Sequence, residues 1–291
     1  MVSFSRLVKP ESQELLHVTV LRRERLSPHW MRVTLGGGDI ERFRPMGYDQ
    51  WFRIFLPLGG EEGMERIPAK ANRMLGYLKY LRIPDGVRPV MRNYSVRAFR
   101  PAAGERGAEI DVDFVLHGSV EDGTAGPASR WAETVEPGTS VGLIDEGLAF
   151  NPDRGTEHVL LVVDETALPA VSSICATLPA SASGRAIIEV PSLDDALEFP
   201  HPAGIEVEWI VRDHDDKPGT LALARLEALT DAEYPAADFH AYLAGEQALP
   251  TSARRHLVAR GVDKDLISFC GYWRVGAASP TPKSQRAEAA A

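Results

Sequence analysis

Partway along the chain the hydrophobic rhythm changes, and that change limits the folds open to it. Up to about residue 150, apolar residues recur at every second position. Leu16, Val18 and Val20 do so, then Met31, Val33 and Leu35, then the segments 50–56, 92–98, 109–117 and 139–144. A period of two is the signature of strands with one buried face. The pattern is sharpest at 109–117, where Ile110, Val112, Phe114 and Leu116 take one face and Asp111, Asp113, Val115 and His117 the other. Six short strands with few helical patterns among them predict an antiparallel barrel, which leaves no sheet edge open.

Beyond residue 156 strand and helix patterns alternate. Strands are expected at 158–163, 186–190, 206–211, 239–244 and 266–272, and helices at 167–178, 220–229 and 251–260. Such alternation means a parallel sheet covered by helices on both faces. The division is therefore 1–152 for the barrel and 153–276 for the α/β domain. A tail at 277–291, rich in Ala, Ser, Pro and charge, is expected to be disordered. Residues 59–89 are too many for a plain hairpin loop. They set Arg66, Lys70, Arg73, Lys79, Arg82 and Arg88 among Met74, Leu75, Tyr77, Leu78, Tyr80 and Leu81; a short amphipathic helix serving as a lid is one reading, a solvated insertion the commoner one.

The net charge of -9 speaks against a general nucleic-acid binder, which needs a basic footprint, and leaves room for a local basic pocket. Cys175 and Cys270, the two cysteines, form no Cys-x-x-Cys pair, so neither a zinc site nor an iron–sulfur cluster is expected. With no signal-peptide pattern and no apolar run of membrane-spanning length, a cytoplasmic protein is expected, monomeric by default.

Two stretches carry chemistry. Arg92-Asn93-Tyr94-Ser95 offers a cation, an aromatic face and a hydroxyl on one strand, with Arg92 and Tyr94 on the same side. Gly126-Pro127-Ala128-Ser129-Arg130-Trp131-Ala132 starts a helix, because proline at the first helical position loses nothing by lacking an N–H. The next amides and the helix dipole form an anion site, where a diphosphate could sit with Arg92 as counter-charge. Standing alone, the stretch reads more readily as a short capped helix with Trp131 buried. Together on a six-stranded barrel, the two stretches favour a flavin.

With these stretches in place, the chain resembles the siderophore-interacting proteins, flavin-dependent ferric-siderophore reductases. The resemblance rests on Arg92 to Ser95; on Asp113-Phe114-Val115-Leu116-His117-Gly118; on Gly126 to Ala132; on Asp164-Glu165-Thr166-Ala167-Leu168-Pro169-Ala170; on Ala244-Gly245-Glu246 with Arg254-Arg255; and on Gly271-Tyr272-Trp273-Arg274. These blocks occur in the family's order and cover nearly all of the chain except the tail. The resemblance implies a ferredoxin-reductase-like fold, an N-terminal FAD-binding barrel followed by a nicotinamide-nucleotide domain. It implies that Arg92, Tyr94 and Ser95 hold the flavin's phosphate side, ring face and ring edge, with Asn93 in the same motif. His117 and Gly118 would meet the cofactor at a strand end, and the amides of Ala128 and Ser129, after Gly126 and Pro127, would take the diphosphate, with Trp131 of the same block beside the cofactor. Asp164, Glu165, Thr166 and Ala167 would face flavin and nicotinamide from a strand's carboxyl end, with Gly245, Glu246, Tyr272 and Trp273 completing the site.

Two features depart from a usual nucleotide site. Valine stands at 163 where the family usually has glycine, so a side chain would narrow the nicotinamide's approach. There is also no Gly-x-Gly-x-x-Gly loop. Glu189, closing a strand, would meet a ribose hydroxyl and favour NADH, whereas Arg254 and Arg255 would meet a 2′-phosphate and favour NADPH. For an anionic ferric siderophore the resemblance points to a basic cup of Arg53, Arg130 and Arg274. The implied activity is hydride transfer from NAD(P)H to FAD and single-electron delivery to siderophore-bound Fe(III), with Fe(II) released because hard oxygen chelators hold it weakly. Two other readings share these residues: a flavin reductase with a protein or quinone acceptor, and an FAD-holding siderophore-binding protein that does not turn over.

Overall fold

A computed structural model describes residues 7–58, 60–71, 74–121, 123–152, 157–235 and 239–276. The expected tail at 277–291 lies outside the described residues. The chain forms two compact units. One comprises Lys9–Met46 and Gln50–Gly147; the other is built on Leu148–Gly276, joined by Gly47–Asp49 and by Val8.

The first unit is an antiparallel sheet of seven strands, one more than expected: β1 (Leu15–Ser27), β2 (Trp30–Gly36), β3 (Trp51–Leu56), β4 (Val90–Ser95), β5 (Ala98–Arg100), β6 (Glu109–Val115) and β7 (Ser140–Gly147). The extra strand arises because the expected run at 92–98 breaks after Ser95. The amide of Val96 bonds the Gln50 carbonyl and that of Arg97 the Asp111 carbonyl, so the chain changes partner within two residues. The sheet order is β4-β3-β7-β1-β2-β6-β5, with β4 and β5 at opposite ends. Three residue steps reach about 10 Å, whereas seven flat strands would hold their edges about 29 Å apart. The sheet therefore curls into the expected barrel. Val18, Val33, Phe52, Ile54, Val112 and Phe114 are among its core residues. The outer face of β6 is covered by arginines: Arg32 pairs with Asp113 at 2.6 Å, and Arg100 with Glu109 and Asp111 at 2.9 and 2.5 Å. The period-two pattern thus separates an apolar core from an ion-pair layer.

Two helices accompany the barrel. α2 (Pro127–Thr134) starts at Pro127 as expected and packs against β2, β4 and β6. α1 (Met74–Leu81) lies in the insertion. Its inward residues Tyr80 and Leu81 join Leu15, Phe55 and Ile144 in a second apolar cluster.

In the second unit β8 (His158–Asp164), β9 (Ser183–Val190), β10 (Gly204–Val211), β11 (His240–Glu246) and β12 (Ile267–Trp273) form a parallel sheet of order β10-β9-β8-β11-β12. α3 (Leu168–Thr177) links β8 to β9, α4 (Thr220–Glu227) leads into β11, and α5 (Ala248–Ala259) links β11 to β12. The order runs outward in both directions from β8 and β11, so right-handed crossovers place α3 on one face and α5 on the other. α4 and α5 share a core with Leu160, Val162 and Ile187. The carboxyl ends of β8 and β11 flank the point where the order reverses, the place where ligands bind in such sheets.

Candidate functional site

On the barrel, pairing of β4 with β3 sets Tyr94 opposite Phe52 and Arg92 opposite Ile54, while Asn93 stands opposite Arg53. Phe52 and Ile54 are core residues, so Arg92 and Tyr94 are on the core-facing side and Asn93 is exposed on the other. Ser95 ends the strand and is buried. The Tyr94 ring packs against Phe114 at 4.2 Å between centroids, and Phe114 against Trp131 at 5.6 Å. Trp131 is thus a core residue that backs the aromatic ladder. Tyr94, at the ladder's end, stays partly exposed. Burial raises the pKa of its hydroxyl, which keeps the phenol neutral.

Arg92 is the barrel's exception. Among the described residues, every other partly buried or buried arginine in the barrel unit has a carboxylate partner, namely Arg32, Arg53, Arg88, Arg97 and Arg100. Arg92 instead donates to the Met91 carbonyl at 2.8 Å, and among the described residues no carboxylate pairs with it. Burial lowers its pKa, whereas hydrogen bonds donated to carboxylates raise those of Arg32 and Arg100. A half-buried cation without an anion has a desolvation cost that a bound phosphate would offset.

The start of α2 is tied to the end of β6. The His117 amide donates to Ser129 Oγ at 3.2 Å, and that hydroxyl donates onward to the Val115 carbonyl at 3.4 Å. His117 itself is exposed. Gly118 is held at φ +72°, where a Cβ would come within 2.5 Å of the Thr124 carbonyl oxygen, so only glycine makes this turn. Around Gly126, by contrast, a Cβ would meet nothing within 4 Å. Pro127 has no amide to offer, and the Arg130 amide closes on the Gly126 carbonyl at 2.9 Å. Helix geometry leaves the first-turn amides of Ala128 and Ser129 without intrahelical acceptors. An unpaired guanidinium, two free-ended amides with open space before them, and a partly exposed tyrosine ring fit a cofactor with a diphosphate and a flat ring system.

In the second unit the residues expected to face a nucleotide hold one another. Asp164 is fully buried at the carboxyl end of β8. Its Oδ1 accepts the Thr166 amide at 2.9 Å; its Oδ2 accepts the Glu246 amide at 2.6 Å and Trp273 Nε1 at 3.1 Å. Burial, and then the Glu165 charge, push its carboxyl well above the usual range. Gly245 crosses this carboxylate at φ +135°, where a Cβ would lie 2.5 Å from the Asp164 carboxyl carbon. Glu165 accepts both guanidinium nitrogens of Arg212 at 2.6 Å. Ala167 is buried where the turn enters α3. Glu246 accepts the amides of Ala248 and Val275, at 2.7 and 3.2 Å. The Tyr272 hydroxyl lies 2.7 Å from that of buried Tyr242.

Three expectations change here. Glu189 is not free for a ribose: its two oxygens accept the amides of Gly219, Leu221 and Ala222 at 2.7 to 2.9 Å, capping α4. Val163 is enclosed between Ile188 of β9 and Ala244 of β11 with no exposed surface, so its side chain belongs to the sheet's packing. Asp164 and Glu165 have their carboxylates committed internally, which leaves the turn's backbone as what it presents. Arg212, which sequence reasoning passed over, is the clamp on that turn; its only signal was its place just after a strand.

Of the basic cup, Arg53 pairs with Glu146 at 2.8 Å, on the strand face away from Arg92 and Tyr94. Arg130 is exposed on α2, and Arg274 is exposed just after β12. Arg254, on α5, stands 4.9 Å over the Phe269 ring; Arg255 is exposed. Among the described residues no group of His, Cys, Asp and Glu could hold a metal ion.

Comparison with known proteins agrees with this layout. The family model for the siderophore-interacting FAD-binding domain matches residues 19–149, and that for the siderophore-interacting protein matches 156–276. An uncharacterized protein of Mycobacterium tuberculosis is 34% identical over 88% of this chain and 89% of its own. Ferric vibriobactin reductase of Vibrio cholerae is 29% identical over 88% of both chains. Among solved structures, a siderophore utilization protein from T. fusca superposes with a TM-score of 0.72 at 29% identity, covering 96% of this chain and 98% of that one. The chain belongs to the siderophore-interacting protein family, with a flavin-binding barrel and a ferredoxin-reductase-like fold.

Proposed function

We propose that this protein is an FAD-dependent ferric-siderophore reductase, acting in the cytoplasm as a monomer with NAD(P)H as donor. The observation that carries the reading is Arg92, a half-buried guanidinium that no carboxylate answers, on the same strand face as the partly exposed Tyr94 ring. In this reading Arg92 and the amides of Ala128 and Ser129 hold the diphosphate, and Tyr94 supports the ring with Ser95, His117 and Gly118 at its edge. When bound, the flavin would supply the exchange between a two-electron donor and a one-electron acceptor. The chain's own part is binding and orientation. The Asp164–Arg212 network fixes the turn at the end of β8, so that its backbone, with Tyr272 and Trp273, receives the nicotinamide. Arg130 and Arg274 are the exposed cations for an anionic ferric chelate, and Arg53 contributes only as its pairing with Glu146 allows.

The names of relatives support the substrate class: beside the vibriobactin enzyme, an NADPH-dependent ferric-chelate reductase of Escherichia coli is 26% identical over 88% of this chain. The test is a visible spectrum of the FAD-loaded protein, reduced anaerobically with NADH and then NADPH, followed by ferric catecholate and hydroxamate siderophores. Bleaching by a nicotinamide and faster recovery with a ferric siderophore than with ferredoxin or quinone are expected. A protein that takes no FAD overturns the reading at its base. FAD that neither nucleotide bleaches would indicate a binding protein instead.

A further inference from the structure

The helix in the 59–89 insertion has one face explained by packing and one that is not. Inward, Tyr80 donates its hydroxyl to the Pro89 carbonyl at 2.7 Å and meets Phe55 at 5.7 Å between ring centroids. Arg88, itself buried, donates to the Leu81 carbonyl at 2.8 Å and to the Ile83 carbonyl, tying down the helix's end. At Gly76 a Cβ would come within 2.0 Å of the Lys70 carbonyl oxygen, so the preceding turn lies directly against the helix. This is a fixed platform on the barrel.

Outward, Met74, Leu75 and Leu78 are 62%, 75% and 42% exposed. At 100° per residue, these three and Lys79 fall within one arc of about 140°. Exposed Lys70 and Arg82 flank it. No Asp or Glu occurs between Glu65 and Asp85, although acids outnumber bases in the chain as a whole by 41 to 32. Lys70, Lys79 and Arg82 have no carboxylate partner among the described residues. An apolar ridge set among uncompensated cations answers a surface that is anionic outside and apolar beneath.

We infer that α1 docks this protein onto anionic lipid membrane, with Met74, Leu75 and Leu78 entering the headgroup boundary and Lys70, Lys79 and Arg82 meeting lipid phosphates. Size decides between a bilayer and a protein partner. Three side chains on a two-turn convex helix are well short of the roughly 800 Å² per partner of a stable protein interface. An interfacial helix binds in proportion to the apolar area it inserts plus the attraction of its Lys and Arg to anionic lipid, with no threshold area to reach. The inference concerns the barrel's outer surface and does not depend on the proposed reductase activity.

Co-sedimentation of the whole protein with vesicles tests it, using phosphatidylcholine alone and phosphatidylcholine with phosphatidylglycerol. Binding should be on the order of a hundredfold stronger on the anionic vesicles, about 1 kcal/mol for each of the three cations, and weaken at high salt. L75S/L78S and K79A/R82A alter only exposed side chains and should each return binding to near the phosphatidylcholine level, with circular dichroism confirming the fold. Equal sedimentation with both vesicle types, or undiminished binding by both variants, overturns the inference. So does a concentration-dependent dimer lost in L75S/L78S without vesicle binding, which would assign the ridge to a second copy of the chain.

Discussion

Arg92 and Glu189 are both charged residues on strands, and their partners tell them apart. Among the described residues Arg92 has a carbonyl and no anion; Glu189 has three amides and lies 3.6 Å from the Arg212 guanidinium. Removing Arg92 strands no carboxylate, so Arg92→Ala should unfold at or above the wild-type temperature without FAD. Its FAD affinity should fall roughly 10- to 150-fold, the equivalent of a charge-assisted hydrogen bond of about 1.5–3 kcal/mol. Fluorescence titration with FAD reads the affinity, and unchanged binding would remove Arg92 from the site. At the sequence level both residues could be seen as strand-borne charges. Whether their hydrogen bonds point to backbone or to a ligand could not, because the amides that Glu189 accepts lie about thirty residues downstream.

Among the elements, the C-terminal alternation was legible because each strand and helix there has its own uninterrupted pattern. The seventh barrel strand was not, since the break at Val96 and Arg97 sits inside an apparently continuous run and is made by bonds to Gln50 and Asp111. The assignment of Gly47–Asp49 to the second unit was equally hidden. There the Tyr48 amide bonds Thr177 Oγ1 at 2.9 Å and Asp49 accepts the amides of Ala149 and Phe150. α4 shows why capping can mislead: its N-cap is Gly219, which supplies no side chain, and the cap comes from Glu189 on β9. Glu189→Ala leaves buried amides unanswered and should cost roughly 2–4 kcal/mol, mostly through those donors. Thermal unfolding should show that loss, while any NADH-to-NADPH preference stays as in the wild type. A changed preference with unchanged stability would restore the ribose role.

Across the whole molecule two sets of carboxylates pull stability in opposite directions with pH. Arginine hydrogen bonds hold Glu109 down at about 2, and Asp39 and Asp111 are lowered as well. These groups favour the fold once ionised, so their contribution is lost as pH falls through their folded values. Burial does the reverse to Asp49 and Asp145, pushing each up to about 6. Between about pH 4 and 6 the folded protein keeps protons on these two that the unfolded chain has released, so stability falls as pH rises through that window. The two trends together place the most stable condition on the acid side of neutrality. Asp49→Asn isolates one contribution, because asparagine Oδ1 can still accept the Ala149 and Phe150 amides that Asp49 Oδ1 accepts at 3.0 and 2.8 Å. Each tenfold difference in proton affinity between folded and unfolded chain is worth about 1.4 kcal/mol, so the variant should gain on the order of 3 kcal/mol over wild type at pH 7.5 and little at pH 4. Urea unfolding at a series of pH values measures the difference. A variant whose stability keeps the wild-type slope between pH 4 and 6 would show that Asp49 is ionised in the fold throughout.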